Sequence, residues 1–339
     1  MRTKRNTGTV SMTDVAQLAG VSQSTVSRVI SRHPAISEST KHQVLCALRE
    51  LGYKSEFVKL ISDDHRKTTL DLVMCPLPEQ NDPFALDFFS TVLQGAKDGT
   101  AGTDYLVQAI TLPAGTTELP EHFNRNGIIL LGYPEEKLRR QLKTEQIPYI
   151  IASGDITVGR DEALVAPDNF ECGIQGGEYL FEQGCRRIGF LLPRHNRNRC
   201  SGFEYAFRTR GLEIRPSDIR FVQTTDVSAF IEAIHHWITE KDLPEAIVVG
   251  FNDAANAIET ILKLNGIRVP ENVILMSFDH NPNRISRPCL CSKPYEMGKL
   301  ATVRLLERIQ HPDIPSSWTI VPMTLEGTQI NNKKGEKYK

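Results

Sequence analysis

The chain of 339 residues sets 40 lysines and arginines against 41 aspartates and glutamates, for a net charge of −1, with 40% hydrophobic residues and seven cysteines. It holds no apolar run of about 18 residues, and its basic start, MRTKRNTGTV, leads into no apolar segment, which excludes a transmembrane helix and a secretory signal and sets the expectation of a cytoplasmic protein. The near-zero total hides an asymmetry: residues 1–60 carry nine basic and four acidic side chains, a net of +5 that leaves −6 on the remainder, so a cationic end suited to phosphate sits on an anionic body.

The stretch VSMTDVAQLAGVSQSTVSRVISRHPAISESTKHQVLCALRELGY, residues 10–53, predicts three short helices. Ser11 and Asp14 stand at capping-box spacing, and Val15, Ala16, Leu18 and Ala19 supply the apolar side of the first helix. Gly20 suits a left-handed stop, Val21 tucks inward and Ser22 caps the second helix, which together make a tight helix–turn–helix corner. Val26 and Val29 then face the body of the module. Gln23, Ser24, Thr25, Ser27, Arg28 and Ser31 remain outside as short hydrogen-bonding groups able to reach base edges or phosphates, with Arg28 suited to a bidentate contact with guanine. A third helix is expected from about Ser37, with Val44, Leu48 and Leu51 closing a small core and Gly52 ending it. The expected partner is double-stranded operator DNA.

Past residue 69 the pattern alternates between short apolar runs and segments with helical spacing. Leu70–Cys75, Tyr105–Ile110, Gly127–Leu131, Tyr149–Ile151, Ile188–Leu192, Ile219–Val222, Ala246–Val249 and Val273–Met276 predict strands; the helical spacing is clearest at Phe230, Ile231, Ile234, Trp237 and Ile238, and at Ala254, Ala257, Ile258, Ile261 and Leu262. Strand and helix in turn imply parallel sheets covered on both faces. The echo between NGIILLG at 126–132 and EAIVVGF at 245–251 favours two similar lobes over one wide sheet. Cys289 and Cys291 share a strand face, but no CxxC or paired-histidine motif accompanies them, so reduced, buried thiols are expected and no metal. No GxSxG elbow, phosphate loop, dinucleotide fingerprint or HExxH pair is present, which argues against an enzyme and for no cofactor.

These motifs are similar to those of the lac repressor (LacI/GalR) family of bacterial transcription regulators. TDVAQLAGVSQSTVSRVI resembles the family headpiece, and IPYIIA, PDNFECG, GCRRIGFLLP, RCSGFEYAF, FNDAANAI, RVPENVILMSFD and PYEMGKLA follow in the family's order along nearly the whole chain. The resemblance implies an all-α helix-turn-helix headpiece at 1–54, a hinge at 55–68 and an α/β core of two parallel-sheet lobes at 69–339, similar to periplasmic binding proteins. Lobe 1 is expected at about 69–163 and 292–323, lobe 2 at about 164–291 and 324–331. It further implies a homodimer on two half-sites, probing the operator under control of a small effector, a sugar or anionic sugar derivative, bound between the lobes. The tail NNKKGEKYK lacks leucine heptads, so no added tetramer bundle is expected.

Carried over by position, Gln23 and Ser24 match the family positions that vary with operator sequence, Arg28 the base-contacting arginine, and Ser22, Thr25 and Ser27 the phosphate contacts. In the core, Arg199 matches the arginine three residues before the Gly202-Phe203 pair, Asn252 and Asp253 the Asn-Asp at a strand end, and Asp279 the first of two aspartates; all four are the expected effector contacts. The chain departs from the family at Ser153, at His280 and in the hinge. There Ser62, followed by Asp63 and Asp64, replaces the leucine that wedges into the minor groove, leaving Leu60 and Ile61 as wedge candidates in a shifted register. The basic loop with Arg194, His195, Arg197 and Arg199 suits a phosphorylated or carboxylated effector. The competing class is a solute-binding module without a transcriptional role, which the missing export signal and the headpiece both oppose.

Overall fold

The computed structural model describes residues 11–31, 36–37, 40–41, 43–44, 47–48, 51, 67–77, 83–120, 123, 125–153, 158–223, 226–279 and 287–327. The chain divides into two compact units, Met1–Thr68 and Thr69–Lys339.

In the first unit, α1 (Met12–Ala19) begins on a full capping box: the Asp14 amide donates to Ser11 Oγ and the Ser11 amide to the Asp14 carboxylate. The same bonds hold the Asp14 carboxyl below its ordinary range. Gly20 ends the helix at φ 65°, a left-handed conformation that a Cβ would disfavour. Ser22 then caps α2 (Gln23–Ile30) by accepting from the Thr25 amide. Val15, Ala16, Val26, Val29, Val44, Ala47 and Leu48 form the small core, with Leu51 packed beside it. The third helical segment opens where Ser37 Oγ accepts from the Thr40 amide at 3.2 Å. Leu18 departs from expectation: it is 45% exposed. At about 100° per residue, Leu18 lies roughly 60° round the helix from Val15 but about 200° from Ala16, so a buried face centred on those two leaves it at the margin.

The second unit holds two six-stranded sheets. The first contains β1 (Thr68–Cys75), β2 (Tyr105–Thr111), β3 (Ile128–Gly132), β4 (Tyr149–Ala152), β5 (Leu164–Pro167) and β11 (Trp318–Val321), ordered β11-β5-β4-β3-β1-β2. The second contains β6 (Ile188–Pro193), β7 (Ile219–Val222), β8 (Ala246–Val249), β9 (Ile274–Asp279), β10 (Cys289–Cys291) and β12 (Thr324–Glu326), ordered β12-β10-β9-β8-β6-β7. β1, β3, β4, β5 and β11 run parallel, as do β6 to β10, whereas β12 is antiparallel to β10.

Both faces of each sheet are covered, which is why the strands read as unbroken apolar runs. In β8, Ala246 and Val248 join a core with Phe190, Phe203 and Phe207, while Ile247 and Val249 join one with Phe230, Trp237 and Ile258. The covering helices are α3 (Pro83–Asp98), α4 (Glu136–Thr144), α5 (Asn169–Glu182), α6 (Ser201–Arg208), α7 (Val227–Thr239), α8 (Asn252–Leu264) and α9 (Pro294–Gln310). α9 returns to the first sheet by close packing on α3: a Cβ at Gly298 would lie 2.0 Å from the Val92 carbonyl oxygen.

Four strands exceed the sequence-based expectation: β5, β10, β11 and β12 are only three or four residues long. β11 is an edge strand with Trp318 and Ile320 about half exposed, so its pattern lacks the continuous burial that marks the central strands. Among the described residues, no helix is long and apolar enough to cross a membrane.

The chain passes between the sheets three times, from Pro167 to Asn169, from Cys291 to Pro294 and from Val321 to Thr324. Two of these passages leave the carboxyl ends of β5 and β11, and one leaves that of β10. Because the neighbouring strands are parallel, both sheets turn their carboxyl ends to the junction, the edge where ligands of open α/β sheets bind.

Candidate functional site

On α2 the buried face is Val26 and Val29, whose spacing of three places Gln23, Ser24, Ser27 and Arg28 outward, all exposed, with Thr25 half-buried and Ser31 exposed at the carboxyl end. The hydroxyls are organised before any DNA arrives: Ser22 Oγ lies 2.8 Å from both Ser24 Oγ and Thr25 Oγ1. Ser31 Oγ donates to the Arg28 carbonyl at 3.2 Å. The outer face therefore presents one guanidinium, one amide and a row of hydroxyls on a helix free of acidic residues. The wedge candidates Leu60 and Ile61, with Ser62, Asp63 and Asp64, lie outside the described residues.

In the core, Arg194–Cys200 forms a 3₁₀ helix directly after β6. It carries Arg199 back over the end of the second sheet, where one guanidinium N–H donates to the Gly250 carbonyl at 3.1 Å and the group lies 4.6 Å from the Phe278 ring centroid. Gly250 follows β8, and Phe278 precedes Asp279, the last residue of β9 and the register partner of Cys291. Arg199 and the backbone of Asp279 thus meet at one sheet edge, with Cys172 close enough for Arg199 to act on it, although burial dominates and raises that thiol to about 12. Gly202, in the Gly-Phe pair, is a packing residue: a Cβ there would lie 2.1 Å from the Phe170 carbonyl oxygen, and Phe203 is fully buried against Phe190.

Asn252 and Asp253 open α8 at the same edge, Asp253 exposed and Asn252 buried. The Asn252 side-chain oxygen accepts from Arg287 at 2.7 Å. Arg287, 7% exposed, also donates to Asn256 Oδ1 at 2.6 Å and to Glu259 Oε2 at 2.7 Å. Burial pushes the Glu259 carboxyl up, but hydrogen bonds from Lys263 and Arg287 outweigh it and hold it below its ordinary value. Sequence reading singled out Asn252 and missed Arg287. The available signal was the polar stripe Asn252, Asn256, Glu259, Lys263 on a helix whose other face is apolar, which calls for a polar partner.

On the first sheet, Ser153 follows β4, is 4% exposed, and its Oγ makes no hydrogen bond to a described residue. His280 and the side chain of Asp279 lie outside the description. No group of three or more His, Cys, Asp or Glu able to hold a metal occurs among the described residues.

Residues 11–56 match the family described as bacterial regulatory proteins, lacI family, and residues 178–326 match the periplasmic binding protein-like domain. The chain belongs to the lacI family of bacterial regulators. It is 26% identical to the HTH-type transcriptional regulator RegA of Clostridium saccharobutylicum over 90% of this chain and 94% of that protein. It is equally 26% identical to the transcriptional repressor CytR of Escherichia coli K12, over 93% and 94%. Among solved structures, the regulator CelR in complex with cellobiose superposes with a TM-score of 0.66 at 22% identity, covering 93% of this chain and 98% of that one. The lac repressor dimer bound to operator also gives 0.66, at 17% identity and with 94% and 98% coverage. The lacI-family chain is a DNA-binding transcriptional regulator and not an enzyme, and its two-lobed core has the lac repressor fold.

Proposed function

We propose that this regulator is a cytoplasmic homodimeric repressor whose headpiece, residues 1–54, is joined through a hinge at 55–68 to a core that binds a small metabolite between its lobes. The observation that carries the reading is Arg199, held by Gly250 and Phe278 at the carboxyl edge of the second sheet. Arg199, Asp253 and Asp279 contact the effector from one side, with Asn252 fixing the start of α8, and Ser153 supplies a hydroxyl from the other. A sugar or anionic sugar derivative suits a site that offers a guanidinium, carboxylates and a hydroxyl as hydrogen-bonding groups. The complexes of related folds with cellobiose and ribose support that class.

Two half-sites in successive major grooves lie about 34–36 Å apart, so closure of the lobes acts by changing the spacing of two headpieces. A coupling of about 1–3 kcal/mol changes operator affinity roughly 5–150-fold. Sequencing genomic fragments bound by the purified protein gives the operator. Titration of that complex with cellobiose, ribose, lactose and their phosphates then reads the effector. Arg199→Ala is expected to leave effector-free operator binding in place and to weaken effector affinity about 10-fold or more, through loss of a charge-assisted hydrogen bond. Unaltered affinity by calorimetry would remove Arg199 from the site.

Base readout gives a separate expectation. With Arg28 bidentate to guanine, Arg28→Ala costs about 1–3 kcal/mol and relaxes preference at one symmetric base pair, whereas Thr25→Ala weakens all sequences alike. Equal discrimination by wild type and Arg28→Ala across operator variants would contradict the assignment.

A further inference from the structure

The 3₁₀ helix that turns Arg199 toward Gly250 presents Arg197 elsewhere, into a hollow of about 330 Å³ against the edge strand β7. One wall is polar and belongs to consecutive turns: Arg197 and Asn198 from the 3₁₀ helix, then Ser201 and Glu204 from α6. The apolar lining comes from Ile219 and Phe221, which lie two apart on β7 and so share a face, with Cys200 and Pro216 beside them. The Arg197 guanidinium sits 5.9 Å from the Phe221 ring centroid. Ser201 Oγ donates to the Asn198 carbonyl at 2.7 Å, which pins the polar wall to itself.

Arg197 and Glu204 line the same hollow with opposite charges, and among the described residues neither takes part in an ion pair. An acid and a base lining one half-open cavity, beside apolar side chains, form the complement of a molecule that carries an ammonium, a carboxylate and an aliphatic group on the same carbon. We propose that this hollow is a second small-molecule site that takes a zwitterionic α-amino acid with an aliphatic side chain. Its carboxylate meets Arg197 and Asn198, its ammonium meets Glu204, and its side chain lies on Ile219 and Phe221. The volume falls at the lower end of the range for small-molecule pockets, about 300–1,000 Å³, which suits a ligand of this size. The site does not include Arg199 and is independent of the effector reading.

The test is calorimetric titration of the full-length protein with L-leucine, with N-acetyl-L-leucine and L-leucinamide as analogues that lack the ammonium and the carboxylate charge. L-leucine is expected to bind once per chain, and both analogues to bind at least about tenfold more weakly. Arg197→Met should remove the advantage of leucine over leucinamide, and Glu204→Gln its advantage over N-acetyl-leucine, while Arg199→Ala leaves leucine binding unchanged. Both substituted side chains reach solvent, and thermal melts of the variants confirm that the fold is retained. Absence of saturable binding with L-leucine, L-valine and L-methionine would overturn the proposal, as would equal binding of leucine and both analogues. Loss of leucine binding in Arg199→Ala with retention in Arg197→Met would place the ligand at the sheet edge instead.

Discussion

Arg287→Met is expected to lower the stability of the core by about 3 kcal/mol, because it removes the buried cation that joins Asn252, Asn256 and Glu259 and leaves the buried Asn252 oxygen and the part-buried Glu259 carboxylate without it. Methionine fills much of the volume, so the loss is electrostatic more than steric. Glu259 keeps Lys263 at 2.6 Å and is 22% exposed, which places the effect at the lower end of the range for a broken buried pair. Urea unfolding at neutral pH reads the difference, and a change below about 1 kcal/mol would show that the network is an exposed pair in energetic terms. The variant Arg287→Met with Glu259→Leu and Asn252→Leu should recover part of the loss, since it removes the part-buried carboxylate and the buried amide that the single change leaves without their cation. The same network sets the start of α8, so the single variant should also blunt the response to effector.

Much of the fold was legible because its two periodicities are strong. The central strands β1, β3, β6 and β8 are buried on both faces and read as continuous apolar runs, and α7 and α8 show helical spacing around Trp237 and Ile258. The headpiece was legible for another reason: caps and a turn glycine are local, and Ser11, Gly20 and Ser22 each perform the role that their chemistry suggests. What escaped reading was non-local. β12 exists only because Leu325 finds Leu290 across an antiparallel register, and three residues carry no period of their own. Leu18 was assigned inward by its type, yet the inner face of a two-turn helix has room for few side chains. At the sheet edge, Arg199 was singled out by resemblance, and it stands there against the Gly250 carbonyl and the Phe278 ring. Arg287 was missed because its partners lie 28 to 35 residues away in the chain.

Arg139→Met should be the most destabilising single change in the first lobe, by about 3–5 kcal/mol, because its partner Glu162 is only 4% exposed and loses its one buried cation. Arg139 on α4 reaches Glu162 just before β5, and the same carboxylate accepts from the Tyr149 hydroxyl at 2.9 Å and the Gly159 amide at 2.8 Å. Burial raises the Glu162 carboxyl, but the bonds from Gly159, Arg139 and Tyr149 outweigh it, so the folded value lies below the ordinary one. Tyr149 shifts the opposite way, raised first by burial and then by the Glu162 charge. The sign of the pH effect follows. A carboxyl depressed by folding contributes stability that is complete above its unfolded value, about 4.3, and is lost as pH falls through its folded value. Wild-type melting temperature should therefore drop on acidification below about pH 4, and Glu162→Gln should flatten that drop, since glutamine keeps the shape and has no proton to take up. Equal acid sensitivity of Glu162→Gln and wild type would remove Glu162 as the linked carboxyl, and an Arg139→Met protein within about 1 kcal/mol of wild type in urea at pH 7 would mean that Lys143, 3.9 Å from the same carboxylate, already supplies the charge that Arg139 is assigned.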